Sequence, residues 1–215
     1  MPQLFPRRAN ALPILSLVGA LVGGVATVGF VWYYFSPEYT DVGYAPEQPV
    51  PYSHRLHAGE LGLDCRYCHT NVEMTAEANL PPTETCMNCH AQVQTEALSL
   101  QPVRKSWAED MPVEWIKVNF LPDYVHFSHA AHVNNGVGCE TCHGRVDLMD
   151  VVFQPEPLSM GWCLDCHRNP EEQLRPDEAV TLMGYEHPAD FMERNAERIE
   201  REGIQPPVNC SACHY

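Results

Sequence analysis

The sequence predicts a mostly irregular and α-helical protein with one N-terminal transmembrane helix and little β-structure. Three observations support this fold class. An uncharged apolar run spans residues 11–35, the chain contains 19 prolines, and all 10 cysteines fall in repeats of the pattern Cys-x-x-Cys-His. Frequent prolines break helices and strands, and the short intervals between the repeats leave little room for a conventional side-chain core.

The apolar run is long enough to cross a membrane. As an α-helix, residues 11–35 would be about 37 Å long, against a hydrocarbon layer of roughly 30 Å. Two arginines precede the run and three aromatic residues lie at its end: Arg7, Arg8, Trp32, Tyr33 and Tyr34. A cleaved signal peptide is the alternative, but its apolar core usually spans about 7–15 residues and ends at a small-residue cleavage site. We therefore expect a single-pass anchor in the cytoplasmic (inner) membrane, with the N-terminus inside and the rest on the periplasmic face.

Five copies of Cys-x-x-Cys-His, called frames 1 to 5, occupy residues 65–69, 86–90, 139–143, 163–167 and 210–214. Two thiols followed at once by an imidazole are typical of c-type haem attachment, in which the thiols form thioethers and the imidazole binds the iron. A disulfide framework or zinc sites would not require a histidine after every second cysteine. The sequence therefore predicts five covalently bound haem c groups. The thioether residues are Cys65, Cys68, Cys86, Cys89, Cys139, Cys142, Cys163, Cys166, Cys210 and Cys213, and the proximal iron ligands are His69, His90, His143, His167 and His214.

Six further histidines remain as candidates for the other side of the irons: His54, His57, His126, His129, His132 and His187. Four of them form two His-x-x-His pairs, whose spacing places both imidazoles on one face of a helical turn, within reach of two adjacent haems. This supply is sufficient to fill the sixth position of every iron. A filled sixth position leaves no site for substrate, so the count predicts electron transfer rather than a catalytic haem.

The chain also contains an internal repeat. "SHRLHAGELGLDCRYCH" and "SHAAHVNNGVGCETCH" share Ser-His-x-x-His followed by a haem frame, and a second frame follows each of them. We therefore predict two dihaem modules and a fifth haem near the C-terminus, with a helix over 189–201 that ends at Gly203. The predicted divisions are a cytoplasmic N-terminus (1–10), the anchor (11–35), a proline-rich connector (36–52) and a pentahaem domain (53–215), itself divided at 53–120, 121–175 and 176–215.

The His-x-x-His pairs resemble those of class III multihaem cytochromes, the cytochrome c3 and c7 group, in which the first histidine serves the next haem and the second serves a neighbour. The resemblance implies five axial pairs: His54 with His69, His57 with His90, His129 with His143, His132 with His167, and His187 with His214. His126 stays unassigned. Met160 or Met183 could replace a distal histidine and would raise that haem's potential.

Four longer stretches resemble the membrane-anchored pentahaem cytochrome c subunit of bacterial alternative complex III: "GYAPEQPVPYSHRLHAGELGLDCRYCHTNVE", "LPPTETCMNCH", "DYVHFSHAAHVNNGVGCETCHGRV" and "PLSMGWCLDCHRNPE". The resemblance implies a subunit of a respiratory or photosynthetic complex in which a polytopic subunit oxidises menaquinol and an iron-sulfur subunit lies on the outer face. This subunit would pass electrons to a monohaem cytochrome c, another soluble carrier or a terminal oxidase.

Other activities have less support in the sequence. It contains no nucleophile elbow, phosphate-binding loop or paired-carboxylate motif, so we expect no catalytic residue and no enzyme activity of the subunit by itself. The net charge of −15, without a basic patch, disfavours nucleic acid and suits a basic electron-transfer partner. Two alternatives stay open: a stand-alone membrane-anchored multihaem quinol dehydrogenase, and a multihaem reductase with one open haem site.

Overall fold

The computed structural model describes residues 6–214. The chain divides into two compact units, Met1–Thr40 and Asp41–Tyr215. Within the described residues no β-strand forms, and the only β-type pairings are two isolated bridges, Val125–His214 and Val137–Leu174. The predicted fold class, mostly helical and irregular with little β-structure, is confirmed.

The first unit consists mainly of one long apolar helix. A 3-10 turn at Arg7–Ala11 leads into α1 (Leu12–Tyr34), and a single further turn, α2, covers Pro37–Thr40. No side chain of α1 is buried, and the hydroxyls of Ser16 and Thr27 donate to carbonyl groups of the helix itself, at 2.9 and 2.8 Å. By length and composition α1 could cross a membrane, a property that membrane anchors and signal sequences share.

The second unit contains short helices joined by irregular segments. The helices are α3 (Cys65–Cys68), α4 (Thr83–His90), α5 (Gln101–Glu109), α6 (His129–Val133), α7 (Cys139–His143), α8 (Met160–Arg168), α9 (Phe191–Glu202) and α10 (Cys210–Cys213). A wide turn of π-helix covers Arg55–Glu60, and 3-10 turns cover Leu98–Leu100, Val146–Leu148, Pro170–Glu172 and Asp177–Ala179. The longest of these, α9, lies where a helix was predicted, and Gly203 ends it with a φ of +66°.

Few apolar side chains of the described residues are buried: Val50, Val72, Val103, Met149, Leu174, Ala179 and Val180. Many large apolar side chains of the second unit stay exposed, among them Leu80, Leu148 and Val151. A domain of this size normally buries a larger apolar core. The small core agrees with the expectation that the closely spaced repeats leave little room for a conventional side-chain core.

The two predicted modules are docked on each other reciprocally. The π-turn that carries the first His-x-x-His pair packs on Val146–Leu148, just after frame 3, where Arg55 N–H donates to the carbonyl of Met149 at 2.9 Å. Helix α6, which carries the second pair, docks on the segment after frame 1, where Ala130 N–H donates to the carbonyl of Thr75 at 3.1 Å. Each histidine turn is therefore held by the other module.

A buried arginine joins α7 to the later part of the chain. The Arg175 side chain is 7% exposed; it donates to the carbonyl of Leu182 at 2.9 Å and to the Glu140 carboxylate at 3.3 Å. The same carboxylate accepts from Gly184 N–H at 2.8 Å. A buried guanidinium requires such partners, so this network fixes frame 3 relative to residues 182–184.

Candidate haem sites

Each of the five frames lies on a helical turn. Frames 1 and 5 form the single turns α3 and α10, frame 3 forms α7, and frames 2 and 4 lie in α4 and α8. Side chains cap two of these turns, because Asp64 accepts from the N–H of Arg66 at 2.8 Å and Ser159 accepts from that of Trp162 at 3.3 Å. A helical turn places residues three apart on one face, so the two thiols of each frame face the same way.

The ten thiols are not joined as disulfides in the described part of the chain. Burial raises the pKa of the Cys142 thiol to about 12, with smaller contributions from Cys166 and Cys163. No group of three or more His, Cys, Asp or Glu side chains among residues 6–214 converges as a metal site made of protein ligands alone would require. The cysteines and histidines of the described residues are therefore arranged as pairs of thiols and pairs of imidazoles, and not as a cluster of three or more metal ligands.

Six predicted iron ligands hold the Nδ1 atom of their imidazole against a backbone carbonyl. The contacts, 2.7–3.0 Å long, are His57 to Ser53, His69 to Asn79, His90 to Val93, His129 to Ala76, His132 to Ser128 and His167 to Pro207. A carbonyl oxygen can only accept, so Nδ1 must carry the hydrogen in each contact. Nε2 of the neutral ring is then a bare lone pair available to a metal ion, the usual arrangement of metal-binding histidines.

The imidazole rings of three predicted axial pairs lie opposite each other, at different inclinations. The ring centres are 6.3 Å apart for His129 and His143, 6.0 Å for His132 and His167, and 6.2 Å for His57 and His90. The planes of the first pair are nearly parallel, at 5°. Two imidazoles that bind one metal ion from opposite sides, through bonds of about 2 Å each, have ring centres roughly 6 Å apart. The spacing of these pairs therefore fits one iron between each of them.

A fourth predicted ligand, His54, makes no ring contact with His69, its expected partner, in the described part of the chain. Burial lowers the pKa of His54 to about 4, and His69 makes the next largest contribution. The ring of Tyr52 meets the His54 ring edge to face at 4.8 Å, and Nδ1 of His54 is buried without a hydrogen-bond partner. His54 thus differs from the six anchored imidazoles, because packing alone orients its ring.

The fifth frame has a different neighbourhood from the one predicted. The His187 ring contacts Tyr185 and Phe191 at 5.2 and 4.4 Å, and no ring contact joins it to His214 in the described part of the chain. Instead, the N–H of His126 donates to the carbonyl of Cys213 at 2.8 Å. The structure therefore places the unassigned histidine beside frame 5, while the ligand role of His187 stays a prediction.

The two methionines considered as replacement ligands differ in exposure. Met160, at the start of α8, is 65% exposed. His132 already lies opposite His167, the proximal histidine of frame 4, which is also in α8. This geometry favours histidine over Met160 at frame 4. Met183 is half-buried.

Comparison with known proteins finds a matching family and a related protein. The family described as "Cytochrome c7 and related cytochrome c" matches residues 125–215. The "Menaquinone reductase, multiheme cytochrome c subunit" of Nitratidesulfovibrio vulgaris is 37% identical over 174 residues, which cover 69% of this chain and 79% of the relative. The chain belongs to the multihaem cytochrome c family. In such a cytochrome the haem groups, when bound, supply one-electron redox chemistry, and the frames and facing imidazoles described above fit that cofactor.

Frames 1 and 3 of this multihaem cytochrome are neighbours, although they belong to different modules. The thiols of Cys65 and Cys139 interact with each other, and the neighbouring Cys65 thiol together with burial raises the pKa of Cys139. Both cysteines also lie against the same segment, since Cys139 N–H donates to the carbonyl of Val180 at 3.0 Å and the Thr181 hydroxyl donates to Asp64 at 2.9 Å. The two predicted modules therefore meet where frame 1, the first frame of one module, lies beside frame 3, the first frame of the other.

The other frames of the cytochrome extend this contact in two directions. The Asn88 amide of frame 2 donates to the Tyr67 hydroxyl of frame 1 at 3.2 Å. Helix α6 supplies the imidazoles opposite frames 3 and 4, and Pro207, just before frame 5, accepts from His167 of frame 4. The attachment frames therefore follow the spatial order 2, 1, 3, 4, 5, with frames 2 and 5 at the ends.

Proposed function

We propose that this cytochrome is the electron-transfer subunit of a membrane-bound, quinone-linked oxidoreductase complex. Five covalently bound haem c groups, one per frame, would serve as its redox cofactors. The observation that carries the proposal is the set of facing imidazole pairs, with ring centres 6.0–6.3 Å apart. Two imidazoles on one iron leave no coordination position for a substrate, which supports electron transfer over catalysis at the haems.

The residues of the chain would act by holding the redox centres in fixed positions. The backbone carbonyls that accept from Nδ1 orient the imidazoles and add electron density to them, which stabilises the oxidised metal. The helical turns present both thiols of each frame on one side, and the reciprocal docking of the modules brings frames 1 and 3 together. The ends of the series, frames 2 and 5, are where we expect partner subunits or carriers to dock.

For the reaction of the complex we propose quinol oxidation of the alternative complex III type. The support is the resemblance of four sequence stretches, together with the 37% identity to a subunit of another quinone-linked complex. Under this proposal iron-sulfur and polytopic subunits deliver electrons from menaquinol, and a periplasmic monohaem cytochrome, another soluble carrier or a terminal oxidase accepts them. Catalysis at the quinone then belongs to the complex and not to this subunit.

A second candidate function is electron transfer in the opposite direction, in which the complex reduces menaquinone. The relative from Nitratidesulfovibrio vulgaris is described as a menaquinone reductase subunit, which favours this direction. An electron relay works in either direction, so the subunit itself is compatible with both. The direction would be set by the partners that dock at its two ends.

We also propose that α1 is retained as a single-pass anchor with its N-terminus in the cytoplasm. Its 23 residues would span about 34 Å, and every described side chain on it is exposed and available to lipid. Arg8 precedes the helix and Trp32 lies near its end, as expected for inside-to-outside orientation with an aromatic belt. A cleaved signal sequence is the competing interpretation.

The test is to purify the complex in detergent and measure spin state, carbon monoxide binding and quinone chemistry. We expect five haems per chain, low-spin signals only, no carbon monoxide adduct, and menaquinol-analogue oxidation that requires co-purified iron-sulfur and polytopic subunits. A high-spin, carbon monoxide-binding haem in the folded protein would favour the reductase alternative. Quinol oxidation by the isolated subunit would favour the stand-alone dehydrogenase, and net menaquinone reduction would favour the second candidate.

A further inference from the structure

One predicted iron ligand is oriented by a side chain and not by the backbone. Nδ1 of His143, the proximal imidazole of frame 3, lies 3.3 Å from Nδ2 of Asn119. Six other predicted ligands place Nδ1 against backbone carbonyls. Frame 3 is therefore the site where a substitution could change the partner of the imidazole without altering the backbone.

The ligand role of His143, together with the hydrogen bonds available to Asn119, determines which end of the Asn119 amide faces the His143 ring. Oδ1 of Asn119 is buried and has no hydrogen-bond partner. If His143 binds metal through Nε2, its Nδ1 carries the hydrogen and needs an acceptor, which Nδ2 cannot provide. Exchanging the two ends of the amide, which are nearly indistinguishable in shape, gives Nδ1–H the oxygen as its acceptor. The ligand role of His143 thus determines the orientation of the amide.

Two glutamines hold the irregular segment that carries Asn119. Phe120 N–H donates to Oε1 of Gln154 at 3.2 Å, and Gln154 is 1% exposed. On the other side, Gln48 bonds to both the N–H and the carbonyl of Ile116, at 2.9 and 2.8 Å. The amide of Asn119 is therefore presented to His143 from a segment fixed at both ends, although the segment has no regular secondary structure.

We propose that Asn119 is a positioning residue for His143, which fixes the ring and sets the reduction potential of the frame 3 haem. The proposal rests on the proposed function, since it requires His143 to be an axial ligand. An amide oxygen that accepts from Nδ1–H adds electron density to the ring and stabilises the oxidised metal, and a carboxylate does so more strongly. Removal of the acceptor has the opposite effect and also frees the ring to rotate.

The experiment compares Asn119→Asp and Asn119→Leu in the full-length cytochrome within its complex. Potentiometric titrations followed by haem absorption and electron paramagnetic resonance are expected to show one component moved to lower potential in Asn119→Asp and to higher potential in Asn119→Leu. The low-spin resonance of that component should also shift. Haem content per chain should stay unchanged, because attachment depends on the cysteines.

Asn79→Asp is the matched control. Asn79 is exposed, and it accepts from His69 Nδ1 through its backbone carbonyl, so this substitution adds the same charge near a haem without changing the acceptor. We expect a smaller shift, screened by solvent. If all haems stay low-spin, unchanged reduction potentials in both Asn119 variants, or shifts in the same direction, would overturn the role of Asn119. A high-spin frame 3 haem in the unmodified protein would instead overturn the ligand role of His143 and with it the proposed function.

Discussion

At the scale of single residues, the imidazoles divide into classes that predict different behaviour. Six have Nδ1 anchored on a backbone carbonyl, His143 faces an amide side chain, and His54 has a buried Nδ1 without a partner. Anchoring fixes both the tautomer and the ring orientation before any metal binds. The anchored ligands are therefore expected to lose little conformational entropy on metal binding, and His54 to depend more on the packing of Tyr52.

Substitution of a distal ligand provides a direct test of the axial pairs. In His129→Ala we expect one haem to become high-spin and to bind carbon monoxide, because the ring opposite His143 is removed. The thioether bonds of frame 3 do not depend on His129, so the haem content should equal that of the unmodified protein. Electron paramagnetic resonance and carbon monoxide difference spectra measure the change. A protein that stays fully low-spin would show that His129 is not the ligand.

The same spectra can assign the fifth site. If His187 is the ligand of the frame 5 haem, as the sequence predicts, His187→Ala should create one high-spin haem and His126→Ala should not. The reverse result would assign the ligand to His126, whose backbone already bonds to Cys213. A low-spin haem in both variants would point to Met183.

The carboxylate that caps α3 predicts a dependence of stability on pH. Hydrogen bonding to Arg66 lowers the pKa of Asp64 from 3.8 to about 2. A lowered pKa means that the folded state favours the ionised form, so this contribution is complete above about pH 4 and is lost as the pH falls towards 2. Asp64 is 42% exposed, so the contribution should be below about 1 kcal/mol.

Asp64→Asn isolates that charge, because asparagine is an equally good N-cap. We expect the variant to have a lower melting temperature than the unmodified protein at pH 7, and the difference to shrink as the pH approaches 2. Asp123→Asn, which removes an exposed carboxylate outside α3, serves as the control for the loss of one negative charge. A difference in melting temperature that is constant with pH would contradict the assignment.

At the scale of elements, the docking of the first histidine turn depends on a glycine. A Cβ atom at Gly59 would collide with the backbone carbonyl of Asp147, in the turn that follows frame 3. The π-turn Arg55–Glu60 can therefore approach Val146–Leu148 closely only with glycine at this position. The salt bridge between Arg55 and Asp150, at 3.0 Å, is exposed and adds comparatively little.

We expect Gly59→Ala to destabilise the second unit by roughly 1–3 kcal/mol, because a backbone carbonyl cannot move aside as a flexible side chain can. Thermal unfolding followed by circular dichroism measures the effect. The control is Gly161→Ala in α8, where a Cβ atom meets only the Ser159 hydroxyl, at 3.9 Å. Alanine is the better helix former, so this variant should be at least as stable as the unmodified protein. Equal stability of the two variants would refute the role of Gly59.

At the scale of the whole molecule, the N-terminal helix determines where the cytochrome resides. If α1 is a retained anchor, the haem-stained polypeptide should stay in membranes washed with alkaline carbonate, and its intact mass should include residues 11–35. A soluble periplasmic form that begins after α1 would show that the helix is a signal sequence. The two outcomes differ by the mass of the helix, so mass spectrometry separates them directly.

The sequence predicts the local features of this molecule well and the long-range ones poorly. The long apolar helix, the helix before Gly203 and the scarcity of β-structure follow from composition and periodicity. The close approach of Cys65 to Cys139 and the contact of Asn119 with His143 join residues distant in the chain through polar atoms. No pattern of spacing encodes such contacts, because they depend on how irregular segments pack around the modules.

The reciprocal docking of the two histidine turns also constrains the order in which parts of the chain can fold during synthesis. The turn Arg55–Glu60 has no docking surface until Val146–Leu148 has followed it. Until then, frames 1 and 2 belong to a segment that cannot complete its fold, so we expect their thiols to stay accessible. We therefore expect the exchange between modules to leave the earliest cysteines open until about two-thirds of the chain has been made.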